Sequence, residues 1–133
     1  MDIDKLRVQE LMQTDVKRIK QSATISDAAK VMRDAGVSSL VVEPDADGDA
    51  FGIITRRDII EAFLSSTVSG PADLVEDVMT KPAITVNLGM SIYNCQQLMR
   101  MVGIRRLPVV DGNQLVGILS NADIFAKLLE DIV

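Results

Sequence analysis

Residues 104–123 read IRRLPVVDGNQLVGILSNAD and contain several signals of local structure in close succession. Two apolar runs flank an Asp-Gly-Asn turn at residues 111–113. Asp-Gly between apolar runs is the strongest short-range signal for a β-hairpin. The second run ends at Ser120 and Asp123 follows three residues later, a spacing typical of a capping box at a helix start. The stretch therefore predicts strand, turn, strand and helix in immediate succession.

The same pattern occurs earlier in the chain, because the sequence contains an internal repeat. A shift of 67 places Val8–Val42 on Val75–Val109, and a shift of 65 places Phe51–Leu64 on Val116–Leu129. Positions at which both copies keep the same residue include Met12/Met79, Gly36/Gly103, Gly52/Gly117 and Asp58/Asp123. The chain is therefore two copies of one supersecondary unit of about 60 residues.

The domain organisation is predicted from this repeat. Residues 1–64 form the first motif, residues 65–73 the linker and residues 74–133 the second motif, and the linker is rich in small residues and breakers such as Gly70 and Pro71. Each copy predicts the order β-α-β-β-α, which gives the fold class α/β (α+β). Apolar strands of this kind imply a sheet covered by helices on at least one face. One copy alone would leave much apolar surface wet, so we expect the two to pack about a pseudo-twofold axis into one module.

The helices are predicted from a 3.6-residue apolar period. The expected buried faces of the first helices are Ile25, Ala28, Ala29 and Met32 in one copy and Ile92, Cys95, Met99 and Val102 in the other. Gly36 and Gly103 follow these helices, where left-handed backbone favours glycine. The closing helices, predicted at Asp58–Leu64 and Asp123–Ile132, are apolar on more than one side. This surplus favours a partner surface and a homodimer.

Composition excludes several classes of protein. Lys and Arg number 14 against 19 Asp and Glu, a net charge of −5, which argues against a nucleic-acid partner. With no His and one Cys, His-dependent catalysis is excluded, and neither a structural zinc site nor any other metal site is expected. No apolar stretch reaches the roughly 18–20 residues that a membrane span needs. A single Cys suits the reducing cytoplasm. We therefore expect a compact cytoplasmic domain that is not an enzyme.

Two interpretations of the repeated Gly-apolar-apolar-hydroxyl-x-x-Asp motif stay open. In the first, Thr55 and Ser120 cap a helix, and Asp58 and Asp123 bond back to the cap residue. In the second, the helix N-terminus holds a phosphate beside the hydroxyl, and the Asp accepts both hydroxyls of a ribose. The glycine that opens the motif would let a ligand approach the backbone closely. Capping and ligation are not exclusive.

The duplicated unit, the strand Ile104–Val110 and the two motif endings together resemble the CBS domain family. From about Val8 to Leu129 the chain is similar to a complete CBS pair, or Bateman module. The resemblance implies a regulatory module whose clefts bind adenosine nucleotides of the AMP, ADP or ATP type, with no cofactor required for a reaction. Such modules usually regulate a fused enzyme or channel. Because nothing is fused here, we expect the regulated partner to be a separate protein. S-adenosylmethionine or NAD binding, and a ligand-free structural or dimerisation module, remain as alternatives.

The resemblance also assigns roles to residues. It implies ribose binding by Asp58 and Asp123 and phosphate-side hydroxyls at Thr55 and Ser120. It maps the main chain that borders the adenine to 81–84 in the second copy and, more loosely, to 14–17 in the first. The candidate ligand-binding residues are Val16, Thr55, Arg56, Arg57, Asp58, Lys81, Pro82, Ala83, Ile84, Arg105, Arg106, Ser120, Asn121 and Asp123.

The two copies differ most where the second has Arg105 and Arg106 and the first has two serines. A guanidinium fork suits a phosphate, although solvent-exposed arginines are the alternative interpretation. Arg56 and Arg57 lie in the first turn of a predicted helix, where positive charge opposes the helix dipole, and this favours an anionic neighbour. With Lys81 expected nearby as well, the site built on the second copy is predicted to bind nucleotide more tightly than that on the first.

Overall fold

The structure is a computed structural model and describes residues 2–133. Its helices and strands are α1 (Val8–Leu11), β1 (Arg18–Ile19), α2 (Ile25–Ala35), β2 (Ser39–Val42), β3 (Gly52–Thr55), α3 (Arg56–Leu64), β4 (Val86–Asn87), α4 (Ile92–Val102), β5 (Arg106–Asp111), β6 (Gln114–Ser120) and α5 (Asn121–Ile132). Short 3₁₀ turns cover Ile3–Lys5 and Val75–Asp77. The predicted order β-α-β-β-α is confirmed in both copies.

Each copy builds a three-stranded mixed sheet, so the mixed α/β class is confirmed. In the order β1-β2-β3, the first pair is parallel and the second antiparallel, and β4-β5-β6 repeats that arrangement. The antiparallel register places Ser39 opposite Thr55 in one sheet and Arg106 opposite Ser120 in the other. Equivalent residues of the two copies therefore occupy equivalent places in their sheets.

Helices α2 and α4 end where the sequence predicted, but each buries a narrower face than the predicted one. Left-handed glycines follow α2 and α4, with φ of 67° at Gly36 and 79° at Gly103. Each helix buries a stripe at i, i+3 and i+7, and these residues are Ile25, Ala28 and Met32 on α2 and Ile92, Cys95 and Met99 on α4. Burial of Ala29 and Val102 was wrongly predicted, because both are exposed and lie on the edges of these stripes.

The chain folds into two compact units with separate hydrophobic cores. One comprises residues 17–83 and is called the inserted unit; the other combines residues 2–16 with residues 84–133 and is called the split unit. Val8 lies in the core of the split unit, and Val75 lies in that of the inserted unit. The repeats of the sequence and the compact units of the structure therefore divide the chain at different places.

Main-chain hydrogen bonds explain why the short turn before each repeat packs in the other copy's core. The N–H of Val8 donates to the carbonyl of Met90 at 2.9 Å, which joins α1 to the chain before α4. The N–H of Val75 donates to the carbonyl of Ala23 at 2.8 Å, the equivalent position before α2.

Within residues 2–133, no helix is both long and apolar enough to cross a membrane.

Candidate functional site

The start of α5 carries the candidate site of the split unit. The N–H of Asp123 donates to Ser120 Oγ at 3.2 Å, and the N–H of Ser120 donates to Asp123 Oδ2 at 2.9 Å. The Ser120 hydroxyl also donates to Asp123 Oδ2, at 3.0 Å. The capping interpretation is therefore confirmed, and the cap holds a hydroxyl and a carboxylate at the positive end of the helix dipole.

The start of α3 carries the equivalent candidate site in the inserted unit. The N–H of Thr55 donates to Asp58 Oδ2 at 2.8 Å, and the N–H of Asp58 donates to Thr55 Oγ1 at 3.1 Å. Both capping pairs follow directly on the last strand of their sheet, so each hydroxyl lies at a strand-to-helix junction.

Gln13 is a residue of the split-unit site that sequence reasoning missed. Its Nε2 donates to Asp123 Oδ1 at 3.0 Å. Two main-chain hydrogen bonds of 2.9 Å join Gln13 to Ile118 of β6 and fix the backbone from which this side chain reaches. The signal that could have found it is the repeat itself, because Gln13 lies next to the candidate segment 14–17 and corresponds to Thr80 in the second copy.

Two arginines lie beside the start of α5. Arg106 is directly opposite Ser120 in the antiparallel pair β5–β6, so their side chains leave the same face of the sheet. The carbonyl of Arg105 accepts a 3.0 Å hydrogen bond from the N–H of Asn121, the first residue of α5. The structure thus brings Arg105, Arg106, Ser120, Asn121 and Asp123 together at one end of this sheet.

The segment containing Lys81, Pro82 and Ala83 lies in the inserted unit, beside β3. Thr80 and Ile53 exchange two main-chain hydrogen bonds of 2.9 Å, and the N–H of Ala83 donates to the carbonyl of Phe51 at 2.8 Å. The expectation that this segment accompanies the Ser120 site is wrong, because the chain before each repeat's first strand pairs with the last strand of the other copy. Ile84 begins the second part of the split unit.

Val16 lies in the split unit, in the segment that follows Gln13. Its N–H donates to the carbonyl of Thr14 at 3.1 Å, and its side chain is half-buried. The structure therefore places the candidate segment 14–16 in the unit of Ser120 and Asp123, while Lys17 begins the inserted unit.

Lys81 forms an ion pair with the β2–β3 loop. Its Nζ lies 2.7 Å from Asp49 Oδ2, and the N–H of Asp45 donates to the same oxygen at 3.0 Å. These hydrogen bonds, that from Lys81 first, lower the pKa of Asp49 from its ordinary 3.8 to about 2. Gln21, only 3% exposed, joins the loop by donating to the carbonyl of Glu43 at 3.2 Å. The charge of Lys81 therefore faces a carboxylate of its own unit.

Arg56 and Arg57 form the first turn of α3, as the motif predicted, and both are exposed. Arg57 Nε donates to Glu61 Oε1 at 3.0 Å, so a carboxylate one turn along the helix accompanies this guanidinium. The N–H of Arg56 donates to the carbonyl of Ser38 at 2.9 Å and ties the helix start to the chain before β2.

The glycines of the motif are approached by the protein's own backbone. A Cβ placed on Gly117 would lie 2.9 Å from the carbonyl oxygen of Gln13, and one on Gly52 would lie 3.2 Å from that of Thr80. The close contact that the sequence assigned to a ligand is therefore made by the segments paired with β6 and β3.

Cys95 occupies the core position predicted for it. Its side chain is fully buried on α4, and burial raises the pKa of the thiol to about 11. Within residues 2–133, no group of three or more His, Cys, Asp or Glu side chains is arranged to hold a metal ion.

Comparison with known proteins identifies the family. The CBS domain family model matches residues 8–65 and again residues 75–130. Together with the repeated β-α-β-β-α fold, this shows that the chain belongs to the CBS domain family and contains a tandem pair of CBS domains.

Individual relatives agree with this assignment. An uncharacterised protein of Methanopyrus kandleri is 36% identical over 88% of the chain, which spans 60% of that relative's length. The hexameric CBS-CP12 protein of bloom-forming cyanobacteria is 35% identical, with a TM-score of 0.86 over 92% of this chain and 67% of that one. The CBS domain pair of protein MJ0100, in complex with 5′-methylthioadenosine and S-adenosyl-L-methionine, shares the fold at 24% identity and a TM-score of 0.83, over 95% of this chain and 98% of that one.

Proposed function

We propose that this CBS pair is a regulatory module that binds adenosine nucleotides of the AMP, ADP or ATP type. The two sites of the proposal are the strand-to-helix junctions at Ser120–Asp123 and Thr55–Asp58. The observation that carries the proposal is the end of the β5–β6 sheet, where Arg105 and Arg106 lie beside the capped start of α5. The module acts by binding and carries out no reaction of its own.

The phosphate is the part of the ligand that this end of the sheet suits best. A protein of net charge −5 needs a local positive region to hold a nucleotide. Arg106 leaves the sheet on the same face as Ser120, and the N-terminus of α5 adds partial positive charge. A guanidinium donates two parallel hydrogen bonds to a phosphate, which an ammonium does not. In the inserted unit Ser39 occupies the position of Arg106, so that site offers a hydroxyl instead.

The ribose and the adenine base of the proposed ligand are assigned to protein groups next to the phosphate contacts. The carboxylates of Asp123 and Asp58 come three residues after Ser120 and Thr55 in the chain and accept hydroxyls of the ribose. The main chain at 14–16 borders the adenine in the split unit, and Lys81, Pro82 and Ala83 border it in the inserted unit. Both segments are held against the last strand of their own sheet by main-chain hydrogen bonds.

We propose that the module regulates a separate protein partner and acts through a homodimer. The closing helices expose large apolar side chains, and these are Ile60, Phe63 and Leu64 on α3 and Phe125, Leu129 and Ile132 on α5. Surfaces of this kind are typical of protein contacts. Nucleotide binding would alter the contacts of these helices, since each site lies at the first turn of one of them. We place the module in the cytoplasm, where adenosine nucleotides are abundant.

Thermal unfolding with a ligand panel tests the proposal. A ligand that binds only the folded protein stabilises it by RT ln(1 + [L]/Kd), about 2.7 kcal/mol at 100 times Kd. The panel contains AMP, ADP, ATP, NAD and S-adenosylmethionine, with ribose 5-phosphate and GMP as controls. We expect a rise in the melting temperature with one or more of the adenine mononucleotides and none with the controls. A flat response to the whole panel would support the ligand-free dimerisation module instead.

S-adenosylmethionine is in the panel because of the fold neighbour MJ0100, whose CBS pair is in complex with it. It carries an adenosine but no phosphate, so its binding would use the ribose and adenine contacts without the arginines. A response to S-adenosylmethionine alone would assign the sites to that ligand class and leave Arg105 and Arg106 without a contact to the ligand.

A further inference from the structure

The two equivalent aspartates differ in how many hydrogen bonds they already accept. Asp123 accepts three: the Ser120 N–H and the Ser120 hydroxyl on Oδ2, and the Gln13 amide on Oδ1. Within residues 2–133, the carboxylate of Asp58 has a single donor, the Thr55 N–H at 2.8 Å on Oδ2. The two aspartates, at equivalent cap positions, can therefore accept different numbers of further hydrogen bonds.

The capacity of a carboxylate decides whether it can hold both hydroxyls of a ribose. An ionised carboxylate has about four acceptor positions, two on each oxygen. Asp58 therefore keeps room for the 2′- and the 3′-hydroxyl together. While the Ser120 hydroxyl donates to it, Asp123 keeps room for one further donor, so it accepts one ribose hydroxyl unless Gln13 is displaced.

From this difference we infer that Gln13 determines the ribose specificity of the Ser120–Asp123 site. Its amide occupies an acceptor position of Asp123 that the second ribose hydroxyl needs. The inference rests on the proposed function, because it concerns the ribose of the proposed nucleotide. The split-unit site holds its ligand through the phosphate, beside Arg105 and Arg106, together with one ribose hydroxyl, and tolerates loss of the other hydroxyl. The inserted-unit site holds both hydroxyls and requires them.

The length of the side chain explains why Gln13 contacts Asp123 in one copy while the equivalent Thr80 does not contact Asp58 in the other. Gln13 pairs with Ile118, five residues before Asp123, and Thr80 pairs in the same way with Ile53, five residues before Asp58. The backbone is thus equivalent at both places, while the threonine is two bonds shorter than the glutamine. Replacing Thr80 by glutamine is expected to create the same contact with Asp58.

The test compares AMP with 2′-deoxy-AMP at each site separately. Asp58→Ala isolates the split-unit site and Asp123→Ala isolates the inserted-unit site, and titration calorimetry gives the ratio of the two Kd values. We expect a ratio below about threefold at the split-unit site and about tenfold at the inserted-unit site, the range of a lost hydrogen bond to a charged group. Gln13→Leu is expected to raise the first ratio about threefold or more, and Thr80→Gln to lower the second.

Gln13→Asn serves as a second variant, because it keeps the amide but is one methylene too short to reach Asp123. It should also raise the ratio at the split-unit site, and it decides the matter if Gln13→Leu fails to fold. Ratios that are equal at the two sites, or unchanged in the Gln13 variants, overturn the inference and leave the proposed function intact. If ADP or ATP binds the wild-type protein and AMP does not, the comparison is made with that nucleotide and its 2′-deoxy form. If none of the three binds, the proposed function fails and the inference fails with it.

Discussion

At the scale of single residues, Asp123 has two tasks that a substitution removes together. It caps α5 through Ser120 and is proposed to hold the ribose. The chain contains a second cap of the same kind that belongs to neither candidate site, since Thr24 and Asp27 cap α2 with hydrogen bonds of 3.1 and 3.0 Å. This second cap allows the structural cost of losing an aspartate to be measured without loss of ligand contact.

The first prediction compares those two aspartates. Asp123→Ala is expected to abolish the tight nucleotide-binding event and to lower the free energy of unfolding by about 1 kcal/mol through the lost cap. Asp27→Ala should also lower stability but leave nucleotide affinity unchanged, and Asp58→Ala should leave the tight event largely intact. Titration calorimetry and denaturant unfolding of the three variants measure these effects. If Asp58→Ala removes the tight event and Asp123→Ala does not, the assignment of the arginines to the split-unit site is wrong.

The second prediction concerns the ion pair of Asp49 with Lys81. The pKa of Asp49 is about 2 in the folded protein against 3.8 ordinarily, because Lys81 and the N–H of Asp45 hydrogen-bond to the ionised form. A lowered folded pKa contributes stability that is fully present above pH 4 or so and is lost as the pH falls towards 2. The free energy of unfolding of the Asp49→Asn variant should therefore fall less steeply over that pH range than that of the wild-type protein. Urea unfolding of both proteins at several pH values measures it, and parallel curves would contradict the prediction.

At the scale of elements, local sequence signals predicted most of the secondary structure. The Asp-Gly turn, the capping boxes at Thr55 and Ser120 and the left-handed glycines act over two to five residues, and the structure confirms all of them. The apolar period predicted which helix faces are buried except at Ala29 and Val102. The burial of those two residues depends on how closely a neighbouring element covers the edge of the helix. The apolar period of a single helix carries no information about that contact.

The third prediction uses the two motif glycines, which lie at equivalent places with different clearance. A Cβ on Gly117 would lie 2.9 Å from the carbonyl oxygen of Gln13, closer than real Cβ atoms come, whereas the nearest backbone oxygen to a Cβ on Gly52 is at 3.2 Å. Gly117→Ala is therefore expected to destabilise the protein by about 1–3 kcal/mol, as overpacking does, and Gly52→Ala by less. Thermal unfolding ranks the two, and the reverse order would refute the argument.

At the scale of the whole molecule, sequence reasoning predicted the duplication. It did not predict which segments of each copy pack in which of the two hydrophobic cores. Because the copies are alike, no local pattern tells whether the turn at Val8 packs with its own repeat or with the other. The same long-range pairing places Lys81 in the unit that contains Thr55 and allows Gln13 to hydrogen-bond to Asp123. The candidate residues Ser120, Asp123 and Arg106 were predicted because their signals lie within one hairpin and its helix.

The fourth prediction concerns the oligomeric state. Phe125, Leu129 and Ile132 follow at i, i+4 and i+7 on α5 and are 57%, 39% and 59% exposed, so α5 presents an apolar stripe to solvent. A homodimer through the closing helices should give twice the chain mass of 14.5 kDa in light scattering at micromolar concentration. Phe125→Glu should shift the mass to that of one chain, whereas Ala126→Glu, at an exposed position of the same helix, should not. A wild-type mass of 14.5 kDa with and without nucleotide rules the homodimer out.

The nesting of the inserted unit within the split unit has a consequence for synthesis on the ribosome. Chains emerge from the N-terminus at about 5–20 residues per second, and units of structure form as their residues become available. The inserted unit has all its residues once Ala83 has emerged, whereas Val8, fully buried in the finished protein, must wait for β5 and β6. Residues 2–16 are thus made before the inserted unit but find their partners after it. A nascent chain that stalls between the two events leaves the apolar side chain of Val8 exposed to chaperones and proteases.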